Sequence, residues 1–229
     1  RPTAAFAPAI TGEGLRLAHG DQELLNQSTL ALPKEKITLL TGESGSGKST
    51  FLNALARLTP YQGQLAYAGK ELSRFSRRRW GRTVGLVFQH AGDQFLNVTV
   101  GEELALSQRQ GRQPYFTPDR LAAALDQLGL SGLEERVVYS LSGGQQKKLQ
   151  LLVMLMMGQP VLLLDEPFAG LDAASLRAVK ELIDACQACQ PVTIVLVSHQ
   201  LAGLAGWVDC HLHLTKRHFT DQGRDDHES

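Results

Sequence analysis

The run Gly42-Glu43-Ser44-Gly45-Ser46-Gly47-Lys48-Ser49-Thr50 decides the fold of this chain. It matches the pattern G-x-x-x-x-G-K-[ST], in which glycines let the backbone curl until successive N–H groups point at phosphate oxygens. The apolar, β-rich segment Lys36–Thr41 leads into the run, and apolar residues at helical spacing follow it over Ser49–Leu58. A strand, a glycine-rich loop and a helix in this order predict a phosphate-binding loop at a helix N-terminus.

Each part of this loop has a predicted task in holding a nucleotide. The nine residues of the run, from Gly42 to Thr50, are the candidate phosphate-binding residues. Lys48 is expected to reach the β- and γ-phosphates, and the Ser49 hydroxyl is expected to ligate Mg²⁺. ATP and Mg²⁺ are therefore the predicted cofactors. The alternative, a glycine-rich turn with an incidental lysine, is disfavoured by the strand before the loop and the helix after it.

A second stretch, Val161–Glu166 (VLLLDE), predicts a buried strand that ends in two acids. Such a strand can deliver a carboxylate to the phosphate end of a sheet without flexing. Asp165 is expected to hold the Mg²⁺ shell, and Glu166, which points elsewhere, is expected to orient an attacking water. The alternative is a strand that simply ends in two solvated acids, and the phosphate loop upstream favours the functional interpretation.

A third stretch, Leu141-Ser142-Gly143-Gly144-Gln145, predicts another anion site. It offers a hydroxyl, exposed backbone N–H groups and a helix N-terminus. The first loop's phosphates are already enclosed by Lys48 and Asp165, so this second loop is expected to face the phosphates of a second copy. The alternative is an ordinary N-cap, because serine before two glycines is a frequent helix start.

The composition limits the class of protein. At 229 residues the chain forms one large domain or two small lobes, and its 43% apolar content is ordinary for a globular protein. Lys and Arg number 23, as do Asp and Glu, so no overall positive field attracts nucleic acid, and no nucleic-acid partner is expected. The three cysteines, an odd number, argue against a disulfide framework and fit a reducing compartment.

Strand and helix patterns alternate along the chain, which predicts an α/β fold with a mainly parallel sheet covered on both faces. The predicted strands are 14–18, 28–32, 36–41, 63–68, 83–88, 161–164, 192–197 and 208–214. The predicted helices are 49–58, 101–108, 118–128, 142–157 and 173–188.

The domain prediction has three parts. Residues 1–10, with two prolines and four alanines, predict a linker or loose terminus, and residues 221–229 predict a flexible tail. The ATPase domain is expected over 11–220, with a helical subdomain at about 95–157. Because the sequence starts at Arg1, a tandem protein in which this chain is the second cassette is one hypothesis for what the linker joins.

Over nearly its whole length the chain resembles the ATP-binding cassette (ABC) family. The matching motifs are GESGSGKST, Gln89 at the end of a strand, LSGGQ, VLLLDEP, AGLD at 169–172, and Ser198-His199. The resemblance implies a P-loop NTPase fold with a mainly parallel sheet core, an N-terminal antiparallel β subdomain and a helical subdomain. It also implies a head-to-tail dimer with two ATPs between phosphate loop and signature loop.

The resemblance assigns further roles to individual residues. Gln89 would sense Mg²⁺ and couple to a membrane partner, Glu166 would act as catalytic base, and His199 would contact the γ-phosphate. Asp172 would communicate across the dimer. His19 occupies the place where the family usually has an aromatic ring that stacks on adenine. Lys147-Lys148 replaces the family's usual Gln-Arg after the signature, a change that we expect to matter little.

A finer resemblance concerns the segment Phe88–Phe95 (FQHAGDQF), which is similar to the extended glutamine loop of energy-coupling-factor importers. It implies an ATPase that drives uptake of vitamins or transition-metal ions, bound peripherally at the cytoplasmic face of the membrane to transmembrane subunits. The paired ATPase domain is an identical chain, a different chain, or a second domain in tandem on the same chain. The alternative is a non-transport cassette ATPase acting on DNA or ribosomes, against which the absence of a heptad run argues.

Two smaller groups carry weaker predictions. His211 and His213 alternate on one predicted strand and could begin a metal site, but no third ligand is evident. Cys186-x-x-Cys189 lies late in a predicted helix, where buried or half-buried thiols are expected rather than a redox or metal site.

Overall fold

The computed structural model describes residues 6–20, 22–215 and 218–222. The chain divides into two compact units. Unit 1 contains the residues up to Leu86, the strand Val161–Asp165 and the described residues from Thr193 onward; unit 2 contains Val87–Pro160 and Glu166–Val192. The predictions made for residues 1–5, Asp21 and 223–229 lie outside the described residues.

Unit 1 contains an antiparallel sheet of four strands in the order β2-β1-β4-β5. Its strands are β1 (Pro8–His19), β2 (Gln22–Pro33), β4 (Gln62–Tyr67) and β5 (Lys70–Glu71). The long β1 pairs with β2 on one side and with β4 on the other. This sheet is the antiparallel β subdomain that the resemblance implies.

The second sheet has six strands in the order β10-β9-β3-β8-β7-β6. They are β3 (Ile37–Gly42), β6 (Val84–Val87), β7 (Val161–Asp165), β8 (Thr193–Val197), β9 (Cys210–Thr215) and β10 (His218–Asp221). The ladders from β9 through β3 and β8 to β7 are parallel, and β10 is antiparallel to β9. In parallel ladders the carboxyl ends meet at one edge, so the end of β3 lies at the same edge as the end of β7.

Helix α1 (Lys48–Leu55) joins the two sheets of unit 1 in one apolar core. Phe51, Leu52 and Leu55 pack with side chains of both sheets in this cluster. The short helix α2 (Arg77–Gly81) adds Trp80, whose indole Nε1 donates to the carbonyl of Leu55 at 2.9 Å. The core therefore holds the first helix, and with it the phosphate loop, against the parallel sheet.

Unit 2 is mostly helical. Its helices are α3 (Val100–Gln110), α4 (Pro118–Leu128), α5 (Gly143–Met157) and α6 (Ala173–Cys189). Helix α5 packs against α3 and α6, and it is buried over most of its circumference. Within the described ranges, no helix combines the length and the apolar character that crossing a membrane would require.

The structure differs from the sequence-based predictions at both ends of the described chain. The first strand begins at Pro8, so the predicted linker 1–10 is wrong from Pro8 to Ile10, where Ile10 is buried and pairs with both neighbouring strands. Asp221 closes β10, an unpredicted strand, instead of opening a tail. The first difference arises because Ile10 pairs with Tyr67, far along the chain, which a local pattern does not show; β10 forms a hairpin with the preceding β9.

Candidate functional site

The phosphate loop of unit 1 requires glycine at its helix junction. Gly47 is the residue before α1 and has a φ of 99°, in the left-handed region that side chains disfavour. A Cβ at this position would lie 2.8 Å from the Cβ of Leu24 in β2. The close approach of β2 therefore explains why a glycine precedes Lys48. The phosphate loop packs directly against the antiparallel sheet at this point.

The phosphate loop offers a cationic and polar cradle that fits phosphate. The Lys48 ammonium is buried and donates to the carbonyls of Gly42 at 2.9 Å and Glu43 at 2.8 Å, which folds the side chain over the loop. The Ser46 hydroxyl is buried and has no hydrogen-bond partner among the described residues. A phosphate oxygen would satisfy that hydroxyl, and the N-terminus of α1 favours an anion at the same place.

The candidate ligands for Mg²⁺ come from two elements that pack together in unit 1. Ser49 lies in the first turn of α1, Asp165 is the last residue of β7, and α1 packs against β7. Hydroxyl and carboxylate oxygens are the hard donors that Mg²⁺ prefers, and this ion usually takes few protein ligands beside substrate phosphates. This donor set fits Mg²⁺.

The two acids at the end of β7 differ in backbone conformation. Asp165 ends the strand and is buried at 7% exposure, whereas Glu166 follows it with a φ of 48° and 8% exposure. A left-handed glutamate costs about 1–3 kcal/mol and persists only where the surroundings enforce it. The chain therefore turns directly after Asp165, and that Glu166 points away from Asp165 stays a prediction.

His199 follows the end of β8 in unit 1. The Ser198 hydroxyl before it is buried, donates to the carbonyl of Gln200 at 3.0 Å and accepts from the Gln200 N–H at 3.1 Å. These bonds close a tight turn that leaves His199 exposed just after a buried strand. His19, the other histidine singled out from the sequence, is exposed at the end of β1.

The two histidines on β9 contact a hydroxyl group of the neighbouring strand. His211 Nε2 and His213 Nδ1 lie 2.7 Å and 2.8 Å from the Thr41 hydroxyl on β3. In the part of the chain that the structure covers, no cluster of three or more His, Cys, Asp or Glu side chains could hold a metal ion. The two histidines therefore stabilise β3, the strand that precedes the phosphate loop.

Cys186 is buried on α6, and burial raises the pKa of its thiol to about 12. A thiol with so high a pKa stays protonated and unreactive at neutral pH. The expectation of buried or half-buried thiols therefore holds for Cys186 and is wrong for Cys189, which is exposed.

The signature loop of unit 2 opens α5 with a capping box. The Ser142 hydroxyl accepts from the Gln145 N–H at 3.3 Å, and Gln145 Oε1 accepts from the Ser142 N–H at 3.0 Å. Gly143 and Gly144 form the first turn without a side chain above it, and a Cβ at Gly143 would have no atom within 4 Å. The helix start therefore presents backbone N–H groups at an open surface.

Asp172 caps α6 in unit 2 in the same manner. Its Oδ1 accepts from the Ser175 N–H at 2.7 Å, and this bond lowers the pKa of the exposed Asp172 carboxyl. The residue is therefore held as a carboxylate at a helix start, with its side chain at the surface.

The glutamine loop of unit 2, residues 88–96, is fastened to α5 by residues that sequence reasoning missed. The buried Lys147 donates to the carbonyls of Phe88 at 3.4 Å and Gln89 at 2.5 Å. Gln150, fully buried, donates to the Phe88 carbonyl at 2.9 Å. The sequence signal was the lysine pair in place of Gln-Arg, and the expectation that this replacement matters little stays a prediction.

An apolar patch lies beside this loop in unit 2. We define it by four exposed side chains: Leu96, Val98, Val137 and Tyr139. The segments that carry them are joined by a bond from the Val138 N–H to the Val98 carbonyl at 2.9 Å. The buried Glu103 carboxylate accepts from the N–H groups of Leu96 and Asn97, so the patch is preformed.

Comparison with known proteins gives a consistent result. The sequence profile of the family described as ABC transporter matches residues 25–169. A cobalt import ATP-binding protein, CbiO, of Rhodobacter capsulatus is 34% identical over 89% of this chain and 74% of its own length. An energy-coupling factor transporter ATP-binding protein, EcfA1, of Methanospirillum hungatei is 31% identical over 81% of this chain and 68% of its own length.

Other relatives are longer. The sulfate/thiosulfate import ATP-binding protein CysA of Nocardia farcinica is 34% identical over 83% of this chain, which spans 57% of that protein. Across five of the curated relatives that it matches, the chain spans between 32% and 58% of their length.

Solved structures share the fold. The ATP-binding subunit of an ABC transporter superposes with a TM-score of 0.82 at 22% identity, covering 95% of this chain and 91% of that one. The structure of cbiO1 from Clostridium perfringens, part of the transporter complex cbiONQ, gives a TM-score of 0.76 at 23% identity, covering 95% and 88%. The predicted fold class is therefore confirmed.

Proposed function

The chain belongs to the ABC transporter family, and on that premise we propose that it is the ATP-hydrolysing subunit or domain of a membrane importer. One observation carries the proposal: the chain contains two helix starts built for phosphate. One is the phosphate loop with its buried Lys48. The other is the capped start of α5 at Ser142, where a Cβ added at Gly143 would meet no atom of the described residues beyond its own helix within 4 Å.

The first step of the proposed mechanism is nucleotide binding. Lys48 and the loop from Gly42 to Thr50 hold the phosphates of ATP, and His19 lies against the base. Ser49, Asp165 and Gln89 would hold Mg²⁺, which would neutralise phosphate charge when bound. The signature residues of a second ATPase domain then contact the γ-phosphate, so that ATP joins two domains head to tail.

The second step is hydrolysis. Glu166 accepts a proton from the attacking water or orients it, and His199 donates a hydrogen bond to the γ-phosphate. Asp172 relays the state of one nucleotide to the paired domain. Once phosphate leaves, the signature loop loses its anion and the pair separates. The cycle of joining and separation is the motion that drives transport.

The transporter type and its partners are the finer part of the proposal. The glutamine loop 88–96 and the likeness to the cobalt importer and energy-coupling factor proteins support an energy-coupling-factor importer of vitamins or transition-metal ions. The chain works at the cytoplasmic face of the membrane, bound peripherally to transmembrane subunits. The apolar patch supports such a partner, because exposed apolar clusters mark protein interfaces. The ATPase domain extends over residues 8–221 in place of the predicted 11–220, from the first residue of β1 to the last of β10, with 95–157 as its helical subdomain.

Gly143→Asp tests the signature loop without disturbing the fold. A Cβ fits at Gly143, and a carboxylate in the first turn of α5 stabilises the helix by about 0.3–1 kcal/mol. The same carboxylate repels the phosphate of a paired domain. We expect unchanged ATP binding by the monomer, loss of ATP-dependent dimerisation in size-exclusion chromatography, and loss of hydrolysis.

The matched control is Gly132→Asp, which lies in unit 2 but outside the signature and also leaves open space around a new Cβ. Gly132 has a φ of 75°, so aspartate is more strained there than at Gly143. Any loss of fold stability caused by adding an aspartate would therefore be larger in the control. Wild-type dimerisation by Gly143→Asp would remove the signature loop from the mechanism.

Leu96→Glu tests the membrane partner. Leu96 is 81% exposed at the centre of the apolar patch, so a carboxylate there costs no core packing but opposes burial under a partner. Affinity-tagged chain expressed in its native cell is expected to co-purify with transmembrane subunits from detergent-solubilised membranes, and Leu96→Glu is expected to lose them. ATPase activity of the isolated variant should remain.

Leu58→Glu is the control, since Leu58 is an exposed leucine of unit 1, just beyond α1. Recovery of wild-type chain only with ribosomes or DNA would contradict the importer proposal. That result would favour the alternative, a non-transport cassette ATPase.

A further inference from the structure

One face of α5 holds the glutamine loop through three side chains. They are Lys147, Gln150 and Met154, at positions i, i+3 and i+7, which align on one side of a helix. Lys147 and Gln150 donate to loop carbonyls, and Met154 Sδ accepts from Gln94 Nε2 at 3.3 Å. The loop therefore has contacts with three successive turns of this helix.

Lys147 is the unusual member of this group. It is 7% exposed, and burial of an ammonium group is costly unless its N–H donors are used. The shorter of its two bonds to loop carbonyls is with the backbone carbonyl of Gln89, 58 residues earlier in the chain. An apolar side chain would pack at lower cost, so the charged group is best explained by the carbonyls that it binds.

The same helix carries the signature. Ser142 caps α5 and Lys147 follows five residues later, a rise of about 7.5 Å along a rigid helix. A shift of the helix start is therefore transmitted to the Lys147 ammonium and to the backbone that it binds. No flexible segment intervenes between the signature glycines and Lys147, because the helix is continuous from Gly143 to Met157.

We propose that Lys147 is a positioning residue that ties the backbone of Gln89 to the signature helix, so that a phosphate bound at Ser142 sets the position of Gln89. This inference rests on the proposed function. When ATP held by the paired domain binds at the signature loop, the bond between Lys147 and Gln89 transmits this binding to the glutamine loop of the same chain. Lys147 touches neither ATP nor water in this role.

The test compares Lys147→Met with Lys147→Arg by hydrogen–deuterium exchange and steady-state ATPase assays on the full chain, using a non-hydrolysable ATP analogue for exchange. In wild type we expect the analogue to protect amides of both 142–146 and 88–96. In Lys147→Met we expect protection of 142–146 only, with kcat lower by about tenfold and KM changed less than twofold. Lys147→Arg keeps the charge and donors and should restore both values.

Lys148→Met is the matched control, because the neighbouring lysine is half-exposed and forms no contact with the glutamine loop among the bonds described. If Lys147→Met lowers the melting temperature too far for measurement, Lys147→Leu takes its place, since leucine also lacks an N–H donor for the Gln89 carbonyl. The proposal is overturned if the analogue protects both 88–96 and 142–146 in folded Lys147→Met. It is also overturned if that variant has the wild-type kcat.

If Lys147 has only a structural role, thermal stability, nucleotide affinity and the protection of both 142–146 and 88–96 fall together in Lys147→Met. That result also overturns the proposal. Failure of the proposed function is recognised separately. In that case the wild-type chain itself shows no protection of 142–146 with the analogue, and the positioning role falls with it.

Discussion

Glu166→Gln is expected to bind ATP with wild-type affinity, to dimerise more tightly with ATP, and to lower turnover by about 10²–10⁴-fold. The amide has nearly the same volume as the carboxylate, and glutamine is strained at the φ of 48° about as much as glutamate. It no longer accepts a proton from water, so the ATP-bound pair persists. Phosphate release assays and size-exclusion chromatography with ATP measure the two effects.

Glu135→Gln is the control for charge, since Glu135 is an exposed acid of unit 2 outside every proposed site. A Glu166→Gln variant that hydrolyses ATP at the wild-type rate would remove Glu166 from the chemical step. A variant that neither binds ATP nor dimerises would instead show that the residue supports the fold at the end of β7.

Lys48→Ala is expected to lower ATP affinity by about ten- to hundredfold, the range for losing a hydrogen bond to a charged group. The ammonium group is buried at the phosphate loop, where it donates to the carbonyls of Gly42 and Glu43. Its loss removes the cation nearest the proposed phosphates and loosens the loop. Isothermal titration calorimetry with ATP gives the affinity, and thermal unfolding without nucleotide reports any damage to the fold.

Lys34→Ala is the matched control, because Lys34 is an exposed lysine of unit 1. An unchanged dissociation constant for Lys48→Ala would contradict the proposed nucleotide site. Equal losses in both variants would indicate a general effect of net charge on ATP binding.

The local features of the site could be predicted from the sequence. The strand, glycine loop and helix around Gly47 depend on backbone torsion angles within a dozen residues, and the structure has them as predicted. The capping box at Ser142 and the acidic pair after β7 are local in the same sense. Short-range hydrogen bonds and strand periodicity leave a direct trace in the order of residues.

The parts that were missed depend on contacts that the local pattern does not show. Pro8–Ile10 reads as a linker because it lacks a clear period, yet its pairing with β2 and β4 makes it a strand. The strand β10 pairs with the preceding β9, and the centroid of its Phe219 ring lies 4.8 Å from that of Phe51 on α1. The pairing with β4 and the contact with Phe51 join residues far apart in sequence, so no short window contains both members of either contact.

What the sequence determined by itself is the chemistry: a phosphate loop, an acidic strand end and a second glycine-rich helix start. Only the tertiary structure decided which part of the chain the helix that starts at Ser142 contacts. Lys147 and Gln150 reach carbonyls about 60 residues away, and this contact alone reveals that the signature helix holds the glutamine loop. The physical reason is that a buried ammonium acquires its role from the groups packed around it, whereas a glycine loop carries its role in its own backbone.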